Sequence, residues 1–257
     1  MNKLLLISID GLRPDVLPLC RDGYLLSLCG RGAYNLSHQS VMPTITLPCH
    51  ITMFNSVDPS VHGTFNNVFN PCRPSDTLTG VVRKSGGKCA MFYDWEELRD
   101  ITAPGELDKA VYERYNIADK SGSSIPKLTD AAVNCICSGE ADFIFAYYVS
   151  VDDAGHNYGW MSKEYIDAAD SIQEPVKRLT ETALEHGMTV IITSDHGGRN
   201  MGHGADIPED MNIPLFILGS GITAGELKNT CITDIAPTAA RLMSVLPDPR
   251  WTGKALI

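Results

Sequence analysis

The stretch Met188–Gly204, with the sequence MTVIITSDHGGRNMGHG, is the starting point for interpreting the whole chain. Its first six residues, Met188–Thr193, form an apolar run that predicts a buried strand. The rest carries one carboxylate and two imidazoles, on Asp195, His196 and His203. Intervening glycines let the backbone turn tightly, so these side chains can converge on a cation such as zinc. We therefore predict a strand followed by a metal-binding loop; a polar loop with a capping aspartate and two surface histidines is the alternative.

The composition of the 257-residue chain is typical of a soluble globular protein without a membrane span. The formal net charge of −10 argues against binding to a nucleic-acid polymer, since such proteins are normally basic. No stretch approaches the ~18 consecutive apolar residues of a spanning helix. The eight cysteines form no CxxC pair, so we expect reduced thiols in a cytoplasmic protein. The sequence leaves the oligomeric state open.

Apolar runs alternate with segments of helical periodicity along the chain. Strands are predicted at Leu4–Ile9, Ala33–Gln39, Lys88–Tyr93, Phe143–Val151, Met188–Thr193 and Ile213–Gly219. Helices are predicted from Thr46 or Pro48 to Asn55, and at Thr77–Ser85, Ser124–Cys137, Ser162–His186 (kinked at Pro175) and Asp234–Ser244. This alternation predicts an α/β protein with a mainly parallel central sheet and helices on both faces. We expect one domain over residues 1–257, with a substrate-facing insertion at residues 95–122.

Three of the predicted strands end on an aspartate, namely Asp10, Asp152 and Asp195. An aspartate after a strand commonly does no more than cap a turn. Parallel strands, however, would bring all three to the same carboxyl edge, where α/β proteins bind ligands. His156 follows Asp152 by four positions, so one turn of chain can direct both at a single ion. The sequence therefore predicts a site at this edge.

The predicted site contains three carboxylates, three imidazoles and one hydroxyl: Asp10, Thr46, Asp152, His156, Asp195, His196 and His203. These are too many ligands for one tetrahedral zinc and about right for two metal ions. Two ions roughly 4 Å apart can clamp the attacking and leaving oxygens of a phosphoryl transfer. Thr46 would be the nucleophile, activated by one ion, and the helix after it would direct its N-terminus at the anionic centre.

Four motifs, SIDGLRPD, TITLPCH, VDDAGH and SDHGG…MGHG, occur in this order and together resemble the alkaline phosphatase superfamily. The resemblance is nearest to its nucleotide pyrophosphatase/phosphodiesterase branch and spans residue 7 to about 219. It implies a three-layer α/β sandwich without a large cap domain, two zinc ions (with Mn²⁺ or another divalent ion as the alternative) and a small phosphate-ester substrate, such as a nucleotide. It assigns one ion to Asp10, Thr46, Asp195 and His196, and the other to Asp152, His156 and His203. Thr46 would be phosphorylated and then released by hydrolysis.

One departure from the family pattern leaves alternatives open. Phosphodiesterase relatives carry an asparagine three residues after the nucleophile, and this chain has Cys49 there. A thiol is a weak hydrogen-bond donor, so Arg13 or Arg199 is a candidate for contacting the phosphate, with a solvated role as the alternative for each. A phosphomonoesterase, a phosphonate hydrolase and a metal-binding protein with weakened catalysis remain alternative functions. The segment Asp58–Asn67 also matches the family, and the resemblance implies that this segment supports the site structurally. We therefore do not count His62 among the metal ligands.

Several other rings are interpreted as structural. His50 has no carboxylate near it in the sequence, and Tyr147 and Tyr148 lie inside a predicted strand. Tyr158 and Trp160 follow the site strand, where stacking on a nucleobase is the alternative to ordinary packing. We expect packing for both.

Overall fold

The structure is a computed structural model that describes residues 1–68, 70–116 and 124–257. In these residues eight strands form one sheet in the order β4-β3-β5-β1-β6-β7-β2-β8. The strands are β1 (Leu4–Ile9), β2 (Ala33–Gln39), β3 (Cys89–Tyr93), β4 (Lys109–Tyr112), β5 (Phe143–Tyr148), β6 (Thr189–Thr193), β7 (Asn212–Leu218) and β8 (Gly225–Glu226). Neighbours from β4 to β6 are parallel, whereas β7 is antiparallel to β6 and β2. The predicted α/β class with a mainly parallel sheet is confirmed.

Helices cover both faces of the sheet. The helices are α1 (Tyr24–Ser27), α2 (Thr46–Asn55), α3 (Pro59–His62), α4 (Leu78–Lys84), α5 (Ser124–Ser138), α6 (Ser150–Tyr158), α7 (Lys163–Ser171), α8 (Gln173–Glu185), α9 (Pro208–Met211) and α10 (Ile235–Met243). Alternate residues of β1 supply the two cores: Leu5 and Ile7 pack with α5, α7 and α8, while Leu4 and Leu6 pack with α2, α4 and α10. No helix in the described ranges is long and apolar enough to cross a membrane. That residues 1–257 form one domain stays a prediction.

The strand predicted at Phe143–Val151 is shorter than expected. It ends at Tyr148, and α6 begins at Ser150. The backbone turns at Val149, whose N–H donates to the carboxylate of Asp94 over 2.9 Å. Asp152 therefore lies in the first turn of a helix, not directly after a strand, and His156 lies one turn further along the same helix.

The helix predicted at Ser162–His186 is two helices, α7 and α8, separated at Ile172. Pro175 lies in the first turn of α8, where a missing N–H breaks no helical hydrogen bond. The proline thus begins a helix and does not kink one. The segment predicted as an insertion partly extends the sheet, since it contains a 3₁₀ helix, Glu96–Ile101, and the edge strand β4. Residues 117–123 of that segment lie outside the described residues.

Candidate metal centre

The carboxyl ends of three adjacent strands bring the predicted acidic residues together. β1 lies between β5 and β6 and is parallel to both. Asp10 follows β1, Asp195 follows β6, and Asp152 comes from the helix after β5. The proximity expected from the sequence alone is therefore present.

The first group of candidate ligands surrounds the hydroxyl of Thr46. Ligand atoms of Asp10, Asp195 and His196 all lie within 4.8 Å of one another, and all three side chains are buried. Nε2 of His196 lies 3.4 Å from Oδ1 of Asp10, 3.3 Å from Oδ2 of Asp195 and 3.2 Å from Oγ1 of Thr46. Thr46 is the first residue of α2; Ile45 is its N-cap, so the threonine hydroxyl is free to face the ligands.

The second group adjoins the first. Asp152 and His203 form a second set of close ligand atoms that again includes His196. Nε2 of His156 lies 3.0 Å from Nε2 of His203 and 3.5 Å from Oδ2 of Asp152. The rings of His196 and His203 stack with their centroids 3.9 Å apart. The structure thus brings all seven predicted residues to one place.

Each of the three histidines is held through its other ring nitrogen. Nδ1 of His156 bonds to the carbonyl of Met201 over 3.1 Å, that of His196 to Gly197 over 2.8 Å, and that of His203 to Thr44 over 2.6 Å. A carbonyl only accepts, so Nδ1 carries the proton and the lone pair of Nε2 faces the acids. Burial lowers the pKa of His196 and of His203 to about 3, which keeps both rings neutral, as metal ligands must be.

The carboxylates of this site lack the partners that burial demands. Oδ1 of Asp10, Oδ1 of Asp152 and Oδ2 of Asp195 are buried without any hydrogen-bond partner. Burial, followed by repulsion between the acids, raises the pKa of Asp10 and of Asp152 well above the ordinary value and that of Asp195 to about 8. Buried charges of one sign need compensation. Divalent cations would supply it, and carboxylate with imidazole is a donor set that zinc accepts, so the residues present fit a metal pair.

Two residues interpreted as structural, His50 and Tyr147, are buried as expected and also contact the candidate ligands. The hydroxyl of Tyr147 donates to Oδ2 of Asp10, and burial raises the tyrosine pKa so that the proton is retained. His50 lies one helical turn after Thr46, and its Nδ1 is 3.5 Å from Oδ2 of Asp195. No local pattern indicates Tyr147, since its pairing with Ser8, on the strand that leads to Asp10, follows from the strand order of the sheet.

The thiol of Cys49 does not take the place of a phosphate donor. It is fully buried, and its sulfur lies 3.3 Å from the hydroxyl of Ser40. An asparagine does reach the site from elsewhere: Oδ1 of Asn67 accepts from the N–H of Leu47 over 3.0 Å, beside Thr46. The sequence had indicated Asn67 only as part of a supporting segment, so this contact was missed.

The other predicted contacts are placed as follows. The guanidinium of Arg13 pairs with Asp15 and donates to the carbonyl of Gly198 over 3.0 Å. The indole of Trp160 is buried and donates to the carbonyl of Gly11 over 3.0 Å, so it packs within the protein as expected. Tyr158 is 53% exposed, so the expectation that it packs within the protein is wrong.

The chain matches the model of the type I phosphodiesterase/nucleotide pyrophosphatase family over residues 4–95 and 76–212. It is 27% identical over 170 residues to the 2,3-bisphosphoglycerate-independent phosphoglycerate mutase of Syntrophotalea carbinolica, covering 64% of this chain and 31% of the mutase. It is 33% identical over 179 residues to the corresponding enzyme of Hahella chejuensis, covering 67% and 32%. The chain therefore spans about a third of the length of these mutases.

Similar solved structures include the human ectonucleotide pyrophosphatase/phosphodiesterase 5, with a TM-score of 0.82, 15% identity and coverage of 98% of this chain and 97% of that one. The inactive threonine-to-alanine variant of the murine protein, in complex with AMP, has a TM-score of 0.80, 14% identity and coverage of 96% of both chains. A phosphonate monoester hydrolase from Silicibacter pomeroyi has a TM-score of 0.75 and 14% identity, over 100% and 76%. At these identities the likeness establishes a shared fold.

Proposed function

Because the chain belongs to the type I phosphodiesterase/nucleotide pyrophosphatase family of the alkaline phosphatase superfamily, we propose that it hydrolyses small organic phosphodiesters with two zinc ions and Thr46 as nucleophile. The superfamily is metal-dependent and acts on phosphate esters. One observation carries the proposal: three buried carboxylate oxygens without partners lie with three imidazoles beside a helix-terminal threonine, whose hydroxyl is 3.2 Å from Nε2 of His196.

The bound metal ions would lower the pKa of the Thr46 hydroxyl and neutralise charge on the phosphate. Oγ1 of Thr46 attacks phosphorus, an Oγ1–P bond forms, and the bond to the leaving alcohol breaks. Water then attacks the phosphorus of this phosphothreonine ester, the Oγ1–P bond breaks, Oγ1 takes up a proton, and the phosphate monoester leaves. A phosphate bound at Thr46 would lie at the N-terminus of α2, where the partial positive charge of the helix favours an anion.

Residues around the ligands have positioning roles. Tyr147 holds Asp10, and the N–H of Gly11 donates to Oδ1 of Asp195 over 3.2 Å. With Oδ1 of Asn67 occupied by the N–H of Leu47, its amide NH₂ is available to a phosphoryl oxygen beside Thr46. The Asn67 amide thus supplies the hydrogen-bond donor that the thiol of Cys49 does not provide.

Charge favours a diester over a monoester. Two divalent ions are about balanced by three aspartates and a deprotonated Thr46, which suits a singly charged substrate. A dianionic monoester calls for a further cation, and Arg13 is already paired with Asp15. The murine relative, inactive with one threonine changed to alanine and in complex with AMP, is consistent with a threonine nucleophile and a nucleotide-sized substrate.

The eight cysteines are free thiols, consistent with the predicted cytoplasmic location.

The test compares bis-p-nitrophenyl phosphate with p-nitrophenyl phosphate, using zinc-loaded wild-type protein and the Thr46→Ala variant. We expect preference for the diester, loss of turnover in the variant, and two equivalents of zinc by metal analysis of the wild type. Equal rates in both proteins would refute the nucleophile assignment. Fewer than two equivalents of zinc would contradict the metal pair, and preference for the monoester would favour the phosphomonoesterase alternative.

A further inference from the structure

A cavity of about 340 Å³ lies at the carboxyl ends of β3 and β5, next to the segment that carries the candidate ligand Asp152. Its lining combines acidic side chains, Asp94 and Asp153 among them, with the rings of Trp95, Tyr112 and Tyr115. Arg114 also borders it, but the acidic groups outnumber this one cation in the part of the lining that the structure describes. Asp153 directly follows the candidate ligand Asp152, so the cavity and the metal centre share a segment of chain.

One oxygen of the Asp94 carboxylate lacks a partner. Its side chain is buried, with the residue 3% exposed, and Oδ1 accepts from the N–H of Val149 over 2.9 Å. Its Oδ2 has no hydrogen-bond partner, and neither has Oδ2 of Asp153, which is also buried. Burial raises the pKa of Asp94, and the charged neighbour that adds to the shift, Asp153, is itself an acid. This end of the cavity is therefore suited to a cation.

The aromatic residues indicate which kind of cation would fit. The N–H of Tyr115 donates to the carbonyl of Asp94 over 3.2 Å, and burial together with Asp153 and Asp94 raises its pKa to about 12. The ring centroids of Tyr112, which lines the cavity, and of its neighbour Tyr93 lie 5.4 Å apart. Faces of tryptophan and tyrosine attract organic ammonium groups, whereas Mg²⁺ and Ca²⁺ require a shell of oxygen ligands. Acids with rings in one cavity favour an ammonium.

The cavity lies within reach of a substrate held at Thr46. Neighbouring strands lie about 4.8 Å apart, and β5 is the only strand between β1, which leads to Asp10, and β3, which leads to Asp94. An ammonium beside Asp94 or Asp153 would therefore lie about one or two strand spacings, roughly 5–10 Å, from a phosphate at the metal centre. A short alkyl chain spans this distance.

From this arrangement we infer that the substrate of the site carries an amine or quaternary ammonium group on a short alkyl chain. Asp94 and Asp153 bind its positive charge, and the rings of Trp95, Tyr112 and Tyr115 contact its methyl or methylene groups. The inference rests on the proposed phosphodiesterase function and adds the chemical class of one ester group.

The test uses two esters of the same shape with the zinc-loaded, full-length protein. One is choline p-nitrophenyl phosphate, and the other is 3,3-dimethylbutyl p-nitrophenyl phosphate, in which carbon replaces the charged nitrogen. Loss of each ester is followed by phosphorus NMR, which reports cleavage of either ester bond. We expect kcat/KM to be at least tenfold higher for the choline ester, with tetramethylammonium as a competitive inhibitor of its cleavage.

Two variants separate charge recognition from general damage. In Asp94→Asn the acceptor for Val149 is kept, and we expect the ratio of the two kcat/KM values to fall about tenfold. Glu96 borders the same cavity but is exposed and paired with Arg99, so Glu96→Gln should keep the ratio of the wild type. If Asp94→Asn fails to fold, the ratio of the two kcat/KM values in the wild-type protein still tests the inference.

The outcomes distinguish this inference from the proposed function. Equal kcat/KM for the two esters, with bis-p-nitrophenyl phosphate still cleaved, would overturn the ammonium site and leave the phosphodiesterase intact. No cleavage of any diester would overturn the proposed function itself. A preference abolished by Mg²⁺ but unaffected by tetramethylammonium would identify an inorganic-cation site and also refute the inference.

Discussion

The hydroxyl oxygen of Thr46 lies 3.2 Å from Nε2 of His196, although 150 positions separate the two residues. The contact exists because α2 begins beside the carboxyl end of β6. If this hydroxyl is the nucleophile, Thr46→Ser should keep a measurable rate, while Thr46→Val, similar in shape without the hydroxyl, should lower kcat/KM at least about a thousandfold. Steady-state kinetics on bis-p-nitrophenyl phosphate measure this. A valine variant as active as the serine variant would exclude the role.

Asn67 should contribute to transition-state stabilisation. Removing its amide in Asn67→Ala should lower kcat about a hundredfold, the usual effect of losing one donor to a developing oxyanion. Asn66 provides the control, because its side chain accepts from the N–H of Val68 and has no bond to α2 among those described. Asn66→Ala should change kcat less than threefold. Equal losses in both variants would point to a general disturbance of the loop.

Tyr147 should influence metal affinity through Asp10. Tyr147→Phe removes the donor to Oδ2 of Asp10, and loss of such a supporting bond typically weakens metal binding by about 10–100-fold. Tyr148→Phe is a matched control, since its hydroxyl bonds to Oγ1 of Thr129 over 2.7 Å and not to a candidate ligand. Competition with a zinc chelator measures both affinities. The same affinity in the two variants would argue against the positioning role.

Gly198 should be intolerant of a side chain. A Cβ atom there would lie 2.2 Å from the ring of Trp160, so Gly198→Ala should lower the free energy of unfolding by about 1–3 kcal/mol. Gly202 lies in the same loop with open space around the corresponding position. Gly202→Ala should change stability by less than about 0.5 kcal/mol. Urea unfolding distinguishes the two, and similar midpoints would show that the indole can move aside.

His38 should make stability depend on pH. Burial lowers its pKa from near 6.5 to about 3, so the folded protein keeps the ring neutral while the unfolded chain protonates it. Between these two values the unfolded state binds more protons, and stability therefore falls as pH falls. The contribution lost at pH 5, relative to pH 7, is about 2 kcal/mol. His38→Gln should reduce the slope of unfolding free energy against pH, and an unchanged slope would contradict this.

The sequence predicted the parts of the site that depend on local patterns. Apolar runs indicated the strands, and the aspartates and histidines after them converge as expected. Contacts that depend on packing between distant elements could not be predicted. In the sequence, Tyr147 resembles any core residue of a strand. Only the folded structure shows that its hydroxyl donates to Asp10. Asn67 reaches Leu47 through a loop whose course no periodicity encodes. The end of β5 depends on Asp94, which is remote in sequence.

The backbone contacts of the histidines have a consequence for how substitutions combine. The carbonyl of Thr44, two residues before Thr46, holds His203, and the loop that carries His203 holds His156 through Met201. A change in any one of these segments will shift the others. The free-energy effects of paired substitutions here should therefore be non-additive, and a double-mutant cycle between His203 and His156, whose Nε2 atoms lie 3.0 Å apart, would give an interaction energy outside the range of about 0.5 kcal/mol expected of independent sites.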